Sequence, residues 1–98
     1  MTNLQIGEAL TVYEVATLKS EWLQSAKDAS AVMLNADPVK EVDGAGLQLL
    51  VGLRKWIEQG GNTLSVVAPS PVLVSAFDAA GLHDWLQQVV PENLESVS

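Results

Sequence analysis

The chain has 98 residues with 12 acids, 5 bases and one histidine, a net charge of −7, and 48% of its residues are apolar. That apolar share excludes a disordered chain, the length suits one domain with one modest core, and the lack of cysteine excludes disulfides, thiolate chemistry and thiolate zinc sites. The charge disfavours nucleic acid as a partner, because the five bases, Lys19, Lys27, Lys40, Arg54 and Lys55, are scattered. The first ten residues carry Glu8 and no base, so no signal peptide is expected. No apolar run approaches the roughly 18–20 residues of a membrane span. The simplest expectation is a soluble cytoplasmic protein whose acidity serves solubility or a basic partner surface.

In chain order, Leu4 and Ile6 alternate with Asn3 and Gln5, and Leu10 and Val12 alternate with Thr11 and Tyr13. Each set has the period of a half-buried strand. Gly7-Glu8 between them fits a two-residue turn, so an antiparallel hairpin is expected. From Ala16 to Ala29 the period becomes helical, with Leu18, Trp22, Ala26 and Ala29 on one stripe and Thr17 as N-cap. Trp22 reads as a core anchor. Ala31–Leu34 is a short apolar strand, expected to lie parallel to an earlier one because a helix precedes it. Pro38 stops it.

The stretch Val42-Asp43-Gly44-Ala45-Gly46 turns the chain from that region into a second helix. Asp43 is placed to cap it, by accepting hydrogen bonds from first-turn N–H groups and by meeting the positive end of the dipole. At about 100° per residue, Gly46, Leu49, Leu50, Leu53 and Ile57 form the inward stripe, with Trp56 at its edge. Leu47 and Val51 fall outside it, close to Arg54. An apolar pair beside a base suits either partner contact or packing under a loop. Gln59-Gly60-Gly61-Asn62 ends the helix. Thr63–Ala68 is another buried strand. Ser70 and Pro71 start a third helix, whose inward stripe is Leu73, Ala76, Phe77 and Ala80 and whose end is Gly81. Leu82 and Trp85 follow Gly81 too closely to define an element. Val89-Val90 before Pro91 fits a last short strand, and residues 92–98 fit a tail or a helix stub. The order β-β-α-β-α-β-α implies an α/β fold, a mixed sheet of four to five strands with helices packed on it.

Little in the chain suggests catalysis or metal. His83 has no second His and no Cys, so neither a metal site nor a Ser-His-Asp arrangement is readable. The acids cluster only at Asp37, Glu41 and Asp43, where solvation and capping account for them. A P-loop would need Lys-Ser/Thr after its last glycine, and Leu47-Gln48 stands there. A dinucleotide fingerprint would need a third glycine where Leu49 stands. No cofactor is expected.

The run Val32-Met33-Leu34-Asn35, then Val39, then Val42-Asp43-Gly44-Ala45-Gly46-Leu47 resembles the STAS domain of sulphate transporters and anti-sigma-factor antagonists. The likeness continues through Gly60-Gly61-Asn62, the next strand and Gly81-Leu82, and so covers nearly the whole domain. It implies a non-enzymatic switch domain. In the antagonist branch, a kinase that is itself an anti-sigma factor docks on the corner and phosphorylates the second serine of an Asp-Ser-Ser-Gly-Leu motif, and the added charge weakens binding. Asp43, Gly46 and Leu47 match that motif. Gly44 and Ala45 replace the two serines, with Ala45 in the phosphoacceptor's place, and Asn35 stands where the family often has Asp. No Ser, Thr or Tyr occurs from Asp37 to Gly60.

The resemblance thus implies a permanently unmodified binder that docks a partner through Asp43, Gly44, Ala45, Gly46, Leu47, Val51 and Arg54. The partner would be an anti-sigma or histidine-kinase-like ATPase, or a chemotaxis-type complex, with any nucleotide on its side. The alternative is a cytoplasmic STAS subunit that stabilises the ATPase of a lipid-transport ABC complex; such subunits lack the serine at the Ala45 position and often keep a hydroxyl just before it, where this chain has Gly44. A weak homodimer through Leu47 and Val51 is a further expectation. Nothing in the residues supports a hydrolase.

Overall fold

Leu4, Leu34 and Val66 stand side by side on three neighbouring strands, and all three are buried. They belong to β1 (Thr2–Leu4), β3 (Ala31–Asn35) and β5 (Thr63–Val67) in a computed structural model that describes residues 2–28 and 30–91. The strand order is β1-β3-β5, and both pairings are parallel. Val32 pairs with Leu64 in the same register, so one face of β3 and β5 is apolar along its length. A second ladder pairs β2 (Ala9–Leu10) with β4 (Glu41–Val42), also in parallel.

The expected hairpin is therefore absent, and every pairing among the described residues is parallel where a mixed sheet was expected. The period-two pattern marks a strand but does not choose its partner. Here the Glu8 carbonyl accepts from the N–H groups of Lys40 and Glu41, at 2.7 and 3.0 Å, and this carries β2 to β4. Val12 lies outside any strand, and its N–H donates to the Asp43 carboxylate.

Helices provide the crossovers that parallel strands require. They are α1 (Val15–Ser25), α2 (Gly44–Gln59), α3 (Pro71–Ala79) and α4 (His83–Val89). Trp22 on α1 and Ala26 just after it are buried as expected, and the indole Nε1 donates to the Gln5 carbonyl at 2.8 Å. Ala29 and residues 92–98 lie outside the described residues. Thr17 is inside α1 and does not cap it. Ser70 caps α3 by accepting from Leu73 N–H at 3.2 Å, with Pro71 in the first turn. Leu73 and Phe77 face the core, whereas Ala80, the last of the expected stripe, is exposed.

Two helices end alike. In α2 the N–H groups of Asn62 and Gly61 donate to the carbonyls of Ile57 and Glu58; in α3 those of Leu82 and Gly81 donate to Phe77 and Asp78. Gly61 (φ 81°) and Gly81 (φ 76°) hold the left-handed turn that this closure needs.

Val89 is the last residue of α4 and is buried, so Val89-Val90 is not a strand. Leu82, Trp85, Leu86 and Val89 have helical spacing, and Trp85 stacks on Phe77 with centroids 5.1 Å apart. No helix among the described residues is long and apolar enough to cross a membrane.

Candidate protein-docking site

The corner where β4 meets α2 is built around one carboxylate. Asp43 has extended backbone and caps α2: its Oδ1 accepts from Gly46 N–H at 3.0 Å. Its Oδ2 accepts from Val12 N–H, also at 3.0 Å, and so ties the β2–α1 turn to the start of α2. The N–H groups of Val12 first, then Gly46, favour the ionised form and lower the Asp43 pKa below its usual 3.8.

Gly46 is buried against β2. A Cβ there would overlap the Leu10 carbonyl oxygen and lie 2.8 Å from Leu10 Cγ. Only glycine lets α2 start this close to that strand. Gly44 is exposed and has nothing within 4 Å of where a Cβ would be. Ala45 is half-buried and lines a groove of about 440 Å³ between α1 and α2, with Val15, Lys19, Gln48, Leu49 and Trp56 among its walls.

The remaining expected residues stand differently. Leu47 is only 6% exposed and belongs to the core, so it is not a surface contact and cannot carry a homodimer. Leu49, expected inward, is half-buried beside the groove. Arg54 is committed within the chain: its Nε donates to Glu58 at 2.8 Å, and its guanidinium carbon lies 5.5 Å from the centroid of the Trp85 ring. Leu47 lies seven residues before Arg54, hence on nearly the same side of α2, and α4 meets that side through Trp85 at Arg54. Val51 is half-buried.

Asn35, in the place of the family's Asp, accepts from Asp37 N–H at 3.0 Å and shapes the turn after β3. His83 Nδ1 lies 2.8 Å from Asp78 Oδ1 at the junction of α3 and α4, away from the corner. Among the described residues no three His, Asp or Glu side chains are grouped to hold a metal.

The spacing of apolar residues missed the β2–α1 turn. Tyr13 is 88% exposed and Val12 60%, more than any other large apolar residue described. Thr11 and Glu14 hold the turn: Glu14 Oε1 accepts from Thr11 N–H at 2.9 Å and from Thr11 Oγ1 at 2.6 Å, while Thr11 Oγ1 accepts from Tyr13 N–H at 3.3 Å. Thr11-x-x-Glu14 was the signal in the sequence that could have located it.

The family model described as "Mlab, STAS domain" matches residues 1–91. The chain belongs to the STAS family. Solved structures agree with this STAS fold. The anti-sigma factor antagonist SpoIIAA in its unphosphorylated form is 18% identical with a TM-score of 0.70, the match covering 85% of this chain and 74% of that one. A sulfate transporter family protein from Wolinella succinogenes is 20% identical with a TM-score of 0.74, over 91% of this chain and 74% of that one. The Bacillus cell fate determinant SpoIIAA in its phosphorylated form is 19% identical with a TM-score of 0.65, over 85% and 77%. At such identities the likeness speaks to fold.

Proposed function

We propose that this STAS domain is a non-enzymatic regulatory module of bacterial signal transduction. It acts in the cytoplasm by docking a protein partner at the Asp43–Gly46 corner. The supporting observation is the corner itself: a helix start capped by Asp43 and pinned by its second oxygen to the β2–α1 turn, with Gly44 exposed and Ala45 half-buried beside a groove. Such a surface is ordered before any partner arrives, which lowers the cost of binding. Ala45 offers no hydroxyl, so docking here is not switched by phosphorylation of the corner. The partner in this reading is an anti-sigma or histidine-kinase-like ATPase, or a chemotaxis-type complex.

A second reading, a STAS subunit that binds and stabilises the ATPase of a lipid-transport ABC complex, is favoured by the same Ala45. A subunit that stays bound has no use for a phosphoacceptor. Capture of the partner from cell extract, its identification and a calorimetric titration separate the two. Ala45→Glu places a charge at the helix start and should weaken the complex by about tenfold or more. Unchanged affinity would remove the corner from the interface.

A further inference from the structure

We infer that Tyr13 and Val12, carried by the β2–α1 turn, are the apolar anchors of this surface, and that the protein partner receives them in an apolar cleft with a basic rim. The inference rests on the reading of the corner as a docking surface, and it names the side chains that hold the complex together and the chemistry they meet.

Two adjacent apolar side chains this open to water gain nothing for the fold, since neither belongs to the core. The turn beneath them is nonetheless tightly held. Thr11 and Glu14 close it reciprocally, the Thr11 carbonyl accepts from the N–H groups of Glu14 and Val15 at 3.0 and 3.2 Å, and Val12 N–H is fixed to Asp43. The backbone is thus rigid while the side chains it displays are uncovered. An aromatic ring shown from an ordered turn offers large contact area at small entropic cost, and tyrosine is among the residues that most often dominate interface energies.

Asp43 makes the turn and the corner one surface, because its two oxygens bind one segment each. Charge indicates the partner's side. Glu8 and Glu41 are exposed and Glu14 and Asp43 half-buried on the strands and turn that form this end of the molecule. Two bases offset part of that charge, Lys40 at 3.6 Å from Glu8 and Lys19, exposed on the wall of the groove beside Ala45, and leave the four acids in excess. An apolar cleft rimmed by Lys or Arg complements that arrangement.

The test is a titration of the identified partner, purified, against the wild type and the Tyr13→Ala, Tyr13→Phe and Ala45→Glu variants, at low and high salt. Tyr13→Ala should weaken binding roughly 30-fold or more, Tyr13→Phe should restore most of it, and added salt should weaken the wild-type complex. Because Tyr13 is open to solvent, the melting temperature of Tyr13→Ala should match the wild type, so a loss of affinity is a loss of contact. Tyr13→Ala within twofold of wild type, with Ala45→Glu weakened, would overturn the anchors and leave the corner standing. Wild-type affinity in both would overturn the corner as well. Insensitivity to salt would overturn the basic rim.

Discussion

The two flanks of α2 are built in opposite ways. On the side of Leu47 and Arg54, Leu47 is buried, Arg54 lies over Trp85 and is bonded to Glu58, and Trp85 stacks on Phe77. Its apolar and charged side chains are used up within the chain. At the N-terminal end, backbone N–H groups and one carboxylate make the structure, and the apolar side chains nearby point to water. The first flank spends side chains on folding; the second spends backbone on it and keeps Val12 and Tyr13 free. The difference teaches that a base next to apolar residues on a helix does not by itself mark an interface. Whether those residues already have partners decides it.

Three substitutions probe the contrast. The largest effect is expected at Gly46→Ala, which forces a methyl into the Leu10 backbone. It should cost about 3 kcal/mol in urea unfolding, the upper range for overpacking, because backbone cannot move aside cheaply. A cost below that of an ordinary surface change would mean that α2 and β2 can separate freely.

Asp43→Ala comes next. It removes the acceptor for both Val12 and Gly46 and should lower the melting temperature by several degrees at neutral pH. The sign with pH follows from the lowered pKa. The stabilisation is full above 3.8, the carboxyl's usual value, and fades as pH falls through the lower folded value. The gap between wild type and variant should therefore hold from neutral pH down to the mildly acidic range and narrow below it. A gap independent of pH down to full protonation would show that the charge is not what holds the turn.

The smallest effect belongs to Arg54→Ala. Loss of the contacts to Trp85 and Glu58 should cost about 1 kcal/mol and leave partner affinity unchanged. A selective loss of affinity with stability intact would return Arg54 to the interface and erase the contrast between the flanks.

Much of the frame was readable from local chemistry. Asp43 before a glycine pair, Ser70-Pro71, and Gly61 and Gly81 after helical stretches act within a few residues, so their roles follow from the residues alone. Ala31–Leu34 was recognisable as a parallel strand because a helix precedes it. The hairpin failed because alternation at Leu4 and Ile6 is the same for a parallel or an antiparallel neighbour. Leu47 is buried because the buried stripe at the start of α2 is wider than helical spacing alone implies, with Gly46 beside it already seated against Leu10 of β2. Arg54 is engaged within the chain for a different reason, because Trp85 of α4, whose Leu82-Trp85-Leu86-Val89 spacing spans only two turns, lies against its guanidinium. Tyr13 was missed because exposure depends on tertiary context, although the hydrogen-bonding pair that holds the turn beneath it is written in Thr11 and Glu14.

The Asp43–Gly44 pair has a consequence for the ageing of the molecule. Aspartate followed by glycine is prone to spontaneous ring closure, in which the next backbone nitrogen attacks the side-chain carboxyl carbon, water is lost, and hydrolysis of the resulting ring leaves an isomerised link. Here both oxygens of that carboxyl are held by other donors and the glycine nitrogen is fixed in the opening turn of a helix. The capping geometry therefore also protects the covalent integrity of the chain, for as long as it stays folded.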